Sequence, residues 1–189
     1  MVILQVLKVN LTLKKNMNNL KELMLNATKN RKPFVIRKFF LNIPKWDFFI
    51  DYLNHCVKTN SSAYFKTKDY YFILNVGAED LLNVGHVFKD EYKILNSAHE
   101  YGIIENPVFL ISLFDNVENL TQHSDPRDQI HIGCIGKSSW KITLDDGTIE
   151  NYIIGPGDLV FIPIGLQHKV ESITHRVGIT FSANIKEEI

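Results

Sequence analysis

The sequence predicts a mainly β chain with flanking helices, of the α+β class, organised as one domain whose second half closes into a barrel or sandwich. Three observations carry this reading. From Pro107 onward, short apolar runs follow one another with Gly, Pro and Asp-Gly punctuation: "PVFLISLF", "QIHIGCIG", "SSWKITL", "NYIIG", "DLVFIPI", "HKVESI" and "RVGITFS". Regular short strands with tight turns are the pattern of closed or double-layered β folds. The first half instead alternates strand-like with helix-like pieces. Finally, 189 residues are enough for one real core and an added helical layer, but not comfortably for two domains.

Taken in order, "VILQVLKVNLTL" is rich in β-branched residues and leucine and reads as an edge strand. In "NMNNLKELMLNATKN", Met17, Leu20, Leu23, Met24 and Ala27 recur at three- and four-residue steps, which places them on one helical face. Pro33 ends that helix and "FVIRKFF" reads as the next strand. "IPKWDFFIDYLNHCV" opens with Pro44 near a first helical turn and carries Trp46, Phe49, Tyr52, Leu53 and Cys56 on one stripe, most simply a core face. A polar break at "KTNSSA" precedes the strand "YYFILNV", and a further helix is expected around "KDEYKILNSAHEYG". In "LDDGTI", Asp146-Gly147 between apolar runs is a strong hairpin signal.

Composition narrows the function classes. Lys and Arg number 21 against 21 Asp and Glu, so no domain-wide positive field points to nucleic acid or to an anionic membrane. The two cysteines, Cys56 and Cys134, cannot build a disulfide framework, and no signal peptide with a long apolar stretch opens the chain. A reducing, cytoplasmic setting is expected. The longest apolar runs, such as "VFLISLF", fall far short of the roughly 20 residues needed to span a bilayer. The apolar strand "VILQVLKV" offers an edge to a second copy, so a homodimer is an expectation.

Histidine supplies the functional signal. His55, His86 and His99 each lack a ligand-type neighbour at metal spacing and read as ordinary surface or core residues. "QHSDPRDQIHIGCIG" differs: residues i and i+2 of an extended segment point the same way, so His123 and Asp125 can share a cation, although a turn held by Asp125 and Pro126 would also fit. In "GDLVFIPIGLQHKVES", an apolar run closes on a Pro-x-Gly turn and then delivers His168.

Together the two stretches resemble the two sequence boxes of the cupin superfamily. Gly157, Pro163, Gly165 and His168 match the second box, with Ser172 in place of its Asn; His123, Asp125, Gln129 and Gly136 stand at the positions of the first box's His, His, Glu and Gly. The wider chain is similar to the jumonji-type branch, the Fe(II)/2-oxoglutarate oxygenases. "KPFVIRKFF" looks like that family's early strand, "PKWDFFIDYL" like the helix after it, and "HSDPRDQIHIGCIGKSSWKI" like its metal strand and following hairpin.

The resemblance implies a double-stranded β-helix (jelly roll) and a single domain over 1–189, with a flanking layer over 1–105 and a barrel core over 106–185. It implies a dioxygenase in which His123, Asp125 and His168 hold Fe(II) as a two-histidine, one-carboxylate face. 2-Oxoglutarate and O2 would be cosubstrates, and a protein side chain or small molecule would be hydroxylated; nucleic acid and membrane are not expected partners. Gln129 and Ser182 match positions that contact the cosubstrate, and Trp140 reads as core or cavity wall.

One departure stands out. Family members often hold the far carboxylate of 2-oxoglutarate with Lys or Arg after the closing Gly, where this chain has Ser138 beside Lys137. Strand alternation from Trp140 sends Ser138 inward and Lys137 outward unless a bulge follows Gly136, so Lys137 stays a candidate. Arg176 is the other, although "THRVG" reads as a hairpin turn. His131 shares parity with Gln129 and reads as a packing or supporting residue. The alternative function is a metal-binding cupin that does not use 2-oxoglutarate.

Overall fold

A computed structural model describes residues 20, 22–59, 63–66, 71–75 and 108–183. A first helix, α1, spans 22–30; β1 (Phe34–Ile36), α2 (Trp46–Thr59), β2 (Ala63–Lys66) and β3 (Tyr71–Asn75) follow it. Among the described residues eight further strands follow: β4 (Val108–Ser112), β5 (Val117–His123), β6 (Asp128–Ile135), β7 (Ser138–Thr143), β8 (Ile149–Ile154), β9 (Leu159–Ile162), β10 (Gln167–Ser172) and β11 (Arg176–Ala183).

The strands form two antiparallel sheets, one ordered β1-β9-β6-β11-β4-β3-β2 and the other β5-β10-β7-β8. From β4 to β11 the chain crosses repeatedly between them, so β4, β6, β9 and β11 face β5, β7, β8 and β10. This is the eight-stranded double-stranded β-helix, or jelly roll. No helix among the described residues is long and apolar enough to cross a membrane.

Two cores result. On the outer face of the larger sheet, Phe109, Ile111, Ile130, Ile132, Val177, Ile179 and Phe181 pack against Leu20, Met24, Phe49 and Tyr52 of the helices. Between the sheets lies a smaller apolar cluster of Trp140, Ile142, Ile154, Val160, Ile162, Leu166 and Val170. Strand β6 is buried on both faces for nearly its whole length, although "DQIHIGCI" alternates apolar Ile130, Ile132 and Cys134 with Gln129, His131 and Gly133.

Turn chemistry closes the hairpins as the sequence predicts. Between β7 and β8, Gly147 takes φ 82° and its N–H donates to the Leu144 carbonyl at 2.9 Å. Several expectations are corrected. Leu23 is 44% exposed, so the α1 stripe narrows to Leu20, Met24 and Ala27. The strand read from "FVIRKFF" stops at Ile36, because Lys38 takes a positive φ of 52° and gives its N–H to Asp158 Oδ1 at 3.0 Å. Strands β2 and β5 form where none is predicted; among the described residues both lie at the end of a sheet, and β5 carries exposed Glu118, Thr121 and Gln122, so no strong apolar pattern marks it. The expected strand "VILQVLKV", Met17, His86, His99 and the helix around "KDEYKILNSAHEYG" lie outside the described residues.

Candidate metal centre

The route to His168 begins with the fully buried β9, which Pro163 ends. Gly165 takes φ 78°, and the Leu166 N–H returns to the Pro163 carbonyl at 3.3 Å, closing a turn that favours glycine at its third position. Strand β10 then begins, and His168 is 4% exposed. Directly across from it, as its Cα partner on β5, stands His123.

Asp125 follows in a loop whose backbone is tied to the same turn: the Gly165 N–H donates to the Asp125 carbonyl at 3.0 Å. Buried Asp128 braces the arrangement by accepting from Ile164 N–H at 2.8 Å and from the Thr28 hydroxyl at 3.3 Å. Arg31, at the end of α1, donates to the Ile164 carbonyl at 2.7 Å. Two chain segments distant in sequence, 28–31 and 125–128, thus converge on the Pro-x-Gly turn, and the turn positions the site.

One ligand-type atom from each of His123, Asp125 and His168 falls within 4.8 Å of the others. His168 Nε2 lies 3.4 Å from Asp125 Oδ2, and the two imidazole centroids are 4.4 Å apart. His123 Nδ1 is 2.8 Å from the Thr121 carbonyl and His168 Nδ1 is 3.1 Å from the Leu166 carbonyl. A carbonyl can only accept, so both Nδ1 atoms carry the proton in these bonds and both Nε2 lone pairs are left for the site. Burial holds the His168 pKa below its ordinary value, and the neighbouring His123 adds to this, against the opposing Leu166 hydrogen bond and Asp125 charge. A neutral imidazole is the form that binds a metal. The donor set therefore fits a divalent transition metal, with two nitrogens, one oxygen and neither thiolate nor fourth protein ligand in the group.

Further into the barrel the lining is polar. Gln129, 7% exposed, donates to Ser182 Oγ at 3.1 Å across the β6–β11 pairing. Trp140 stacks on His168 with centroids 5.9 Å apart, meets the His131 ring at 4.7 Å, and gives its indole N–H to Ser138 Oγ at 2.9 Å. His131 is buried, with Nδ1 2.8 Å from Thr180 Oγ1, and its Nε2 has no hydrogen-bond partner among the described residues. Burial first, then the charge of Arg176, then His168, hold the His131 pKa well below its usual value.

The two basic candidates separate cleanly. Lys137 is exposed in the β6–β7 turn and Ser138 is buried, so the side chains follow the alternation from Trp140 and no bulge turns Lys137 inward. Lys137 is thus not among the inward side chains. Arg176 corrects the hairpin-turn reading: it is the first residue of β11, paired with Ser112 of β4, 2% exposed, and its Nε donates to Ser172 Oγ at 3.2 Å. The alternation Arg176, Gly178, Thr180, Ser182 on β11 sets it on the inner face with the residues that meet His131 and Gln129. In the sequence Arg176 is disguised, because Thr-His before it and Gly178 after it look like turn residues, and the partner of His131 is hidden, since Thr180 is close only through strand pairing.

No protein-family model matches the chain, and no curated protein matches it. Among solved structures, it is similar to the ribosomal oxygenase YcfD from Escherichia coli in complex with cobalt and 2-oxoglutarate, with TM-score 0.55, 13% identity, and 85% of this chain covering 49% of that one. The same protein in complex with cobalt and succinic acid gives TM-score 0.56 at 14% identity, with 82% of this chain and 49% of that chain covered. A prolyl-4-hydroxylase from Pseudomonas putida gives TM-score 0.50 at 10% identity, covering 88% of this chain and all of that one. The chain spans about half the length of the YcfD structures. At such identities the likeness establishes the double-stranded β-helix fold.

Proposed function

We propose that this chain is an Fe(II)- and 2-oxoglutarate-dependent oxygenase that hydroxylates a C–H bond of a protein side chain or small molecule. The observation that carries the reading is the convergence of His123, Asp125 and His168 on one point, with both Nε2 lone pairs directed by backbone carbonyls. Similarity in fold to oxygenases, one of them in complex with cobalt and 2-oxoglutarate, supports it. The chain would act as one domain in the cytoplasm, with the barrel core over 106–185 and the flanking layer over 1–105.

When bound, Fe(II) with 2-oxoglutarate and O2 supplies an oxidative decarboxylation: the cosubstrate leaves as succinate and CO2, one oxygen atom enters succinate and the other the C–H bond. The chain's own residues bind and orient. His123, Asp125 and His168 would hold the metal through two imidazole nitrogens and one carboxylate oxygen. Arg176, buried on the inner face of β11, is the anchor for the far carboxylate, a role Lys137 cannot fill from its exposed turn. Trp140, 3% exposed, walls the space between His168 and His131 and excludes water from it. Gln129 and Ser182 are further polar contacts for the cosubstrate.

The alternative, a metal-binding cupin without 2-oxoglutarate, is favoured by one observation: Ser138 rather than a basic residue occupies the inward position after Gly136. A thermal-shift series separates the two, because a ligand of the native state raises its stability by mass action. Mn(II) followed by N-oxalylglycine, an inert 2-oxoglutarate analogue, should each raise the melting midpoint; a rise with Mn(II) alone would favour the alternative.

A further inference from the structure

We propose that the Nε2–H of His131 donates a hydrogen bond to the carboxylate that Arg176 anchors, so that the two side chains together form the seat for the distal end of the organic-acid cosubstrate. This rests on the 2-oxoglutarate reading above and assigns a residue that reading does not use.

Four observations lead there. His131 is 1% exposed, and its Nε2 is a buried polar atom without a hydrogen-bond partner among the described residues. Leaving such an atom unsatisfied costs free energy, so its retention calls for a ligand. The ring is also deliberately accommodated: a Cβ on Gly178 would collide with Cε1 and come within 2.5 Å of Nε2, so glycine at this point of β11 makes room for the imidazole. Gly178 is two residues from Arg176 on the same inner face, which sets the Nε2 edge beside the guanidinium's strand position. Lastly, Thr180 Oγ1 lies 2.8 Å from Nδ1. A hydroxyl can donate or accept, so this contact admits the tautomer with the ring proton on Nε2, and a carboxylate at Nε2, which can only accept, selects it.

The charge balance is consistent. Burial and the Arg176 charge keep His131 neutral, so the seat carries one positive charge and one neutral donor, matched to a single carboxylate. A second cation there would repel Arg176, whereas a neutral N–H adds a directed hydrogen bond at no such cost.

The test is calorimetric titration of the full chain loaded with Mn(II), using N-oxalylglycine, which has the distal carboxylate, and oxamate, which has the chelating end alone. His131→Phe should weaken N-oxalylglycine by about tenfold to a hundredfold, the equivalent of one hydrogen bond to a charged group. Mn(II) and oxamate affinities should stay as in the wild type, and His131→Gln, which retains an N–H donor, should recover most of the loss. Equal N-oxalylglycine affinity in wild type and His131→Phe would overturn the assignment of His131 while leaving the oxygenase reading intact. Failure of the wild type itself to bind N-oxalylglycine would instead overturn the oxygenase reading, and this inference with it. If His131→Phe does not fold, Thr180→Val decides: it leaves the ring but removes the hydroxyl that holds Nδ1, and a several-fold loss confined to N-oxalylglycine supports the seat, while no change contradicts it.

Discussion

Strands β6 and β11 pair with each other over their whole length, yet their two faces are built from different chemistry. Outward, Ile130, Ile132, Cys134, Val177, Ile179 and Phe181 are apolar and meet the aromatic faces of α2, with Phe49 and Phe109 in edge contact at 5.3 Å. Inward, the same strands carry Gln129, His131, Arg176, Thr180 and Ser182, which bond to one another or to Ser172 of the facing sheet. Burying a polar group costs more than burying an apolar one unless it is paired, so the inner face is an expensive way to fill a barrel. Apolar burial on the outer face stabilises the sheet, and this leaves the inner face available for a site.

The sharpest way to break the comparison is to remove one residue from each face. His168→Ala, on the inside, should weaken metal binding by more than about a hundredfold, beyond the roughly 10–100-fold typical of losing a supporting partner. The melting midpoint of the metal-free protein should move by only about a few degrees, since the Pro163–Gly165 turn and the apolar strands define the local backbone. Metal analysis and a melting curve on the same metal-free variant check both. Full occupancy with a lowered midpoint would make His168 a structural histidine.

Phe109→Ala, on the outside, should do the reverse. Its ring is fully buried among Phe48, Phe49 and Tyr52, so truncation should cost about 3–5 kcal/mol in denaturant unfolding. Metal affinity per folded molecule should be unchanged.

A smaller effect lies where β1 meets β9. Asp158 accepts from Lys38 N–H and Gly155 N–H, each at 3.0 Å, and from Arg37 Nη1 at 2.7 Å. Burial alone would raise its pKa, but these three hydrogen bonds and the Arg37 charge bring it below the ordinary 3.8. A depressed carboxyl stabilises the fold above its unfolded pKa and loses that contribution as pH falls through the folded value. Asp158→Asn should therefore cost about 1–3 kcal/mol at neutral pH, and the two stability curves should converge on acidification below pH 3.8. A gap that stayed constant down to low pH would assign the effect to shape rather than charge.

The smallest effect belongs to Arg31 and Asp145, a bidentate pair whose side chains remain 40% and 59% exposed. Exposed pairs contribute little and are screened by salt. Asp145→Asn should leave the melting midpoint near the noise of the measurement, and 0.5 M salt, a concentration of about that order, should erase any difference. A salt-insensitive loss would mean that the pair clamps the Pro-x-Gly turn through Ile164.

How much of this was legible in the sequence depends on the range of the interaction concerned. Asp146-Gly147 and Pro163-x-Gly165 announce turns because local backbone geometry demands those residues, and seven of the eight barrel strands follow from apolar runs between such turns. Strand β5, "VENLTQH", gave no such signal, since an edge strand with a solvated face needs no apolar run. In the candidate site, His123 and Asp125 are two residues apart, and the turn spacing singled out His168. Arg176 was misread because Gly178 looked like turn punctuation, whereas it serves the ring of His131 across the β6–β11 pairing. That relation joins positions 131 and 178 of the chain, and only the strand register reveals it.

The central claim, a metal held by His123, Asp125 and His168 that accepts 2-oxoglutarate, is tested most directly by anaerobic titration of the protein with Fe(II) and then 2-oxoglutarate, followed by optical spectroscopy. The account predicts a weak visible charge-transfer band that grows to saturation at one equivalent per chain, is absent in His168→Ala, and decays with release of succinate when air is admitted. Fe(II) uptake by the wild type with no visible band and no succinate would contradict it.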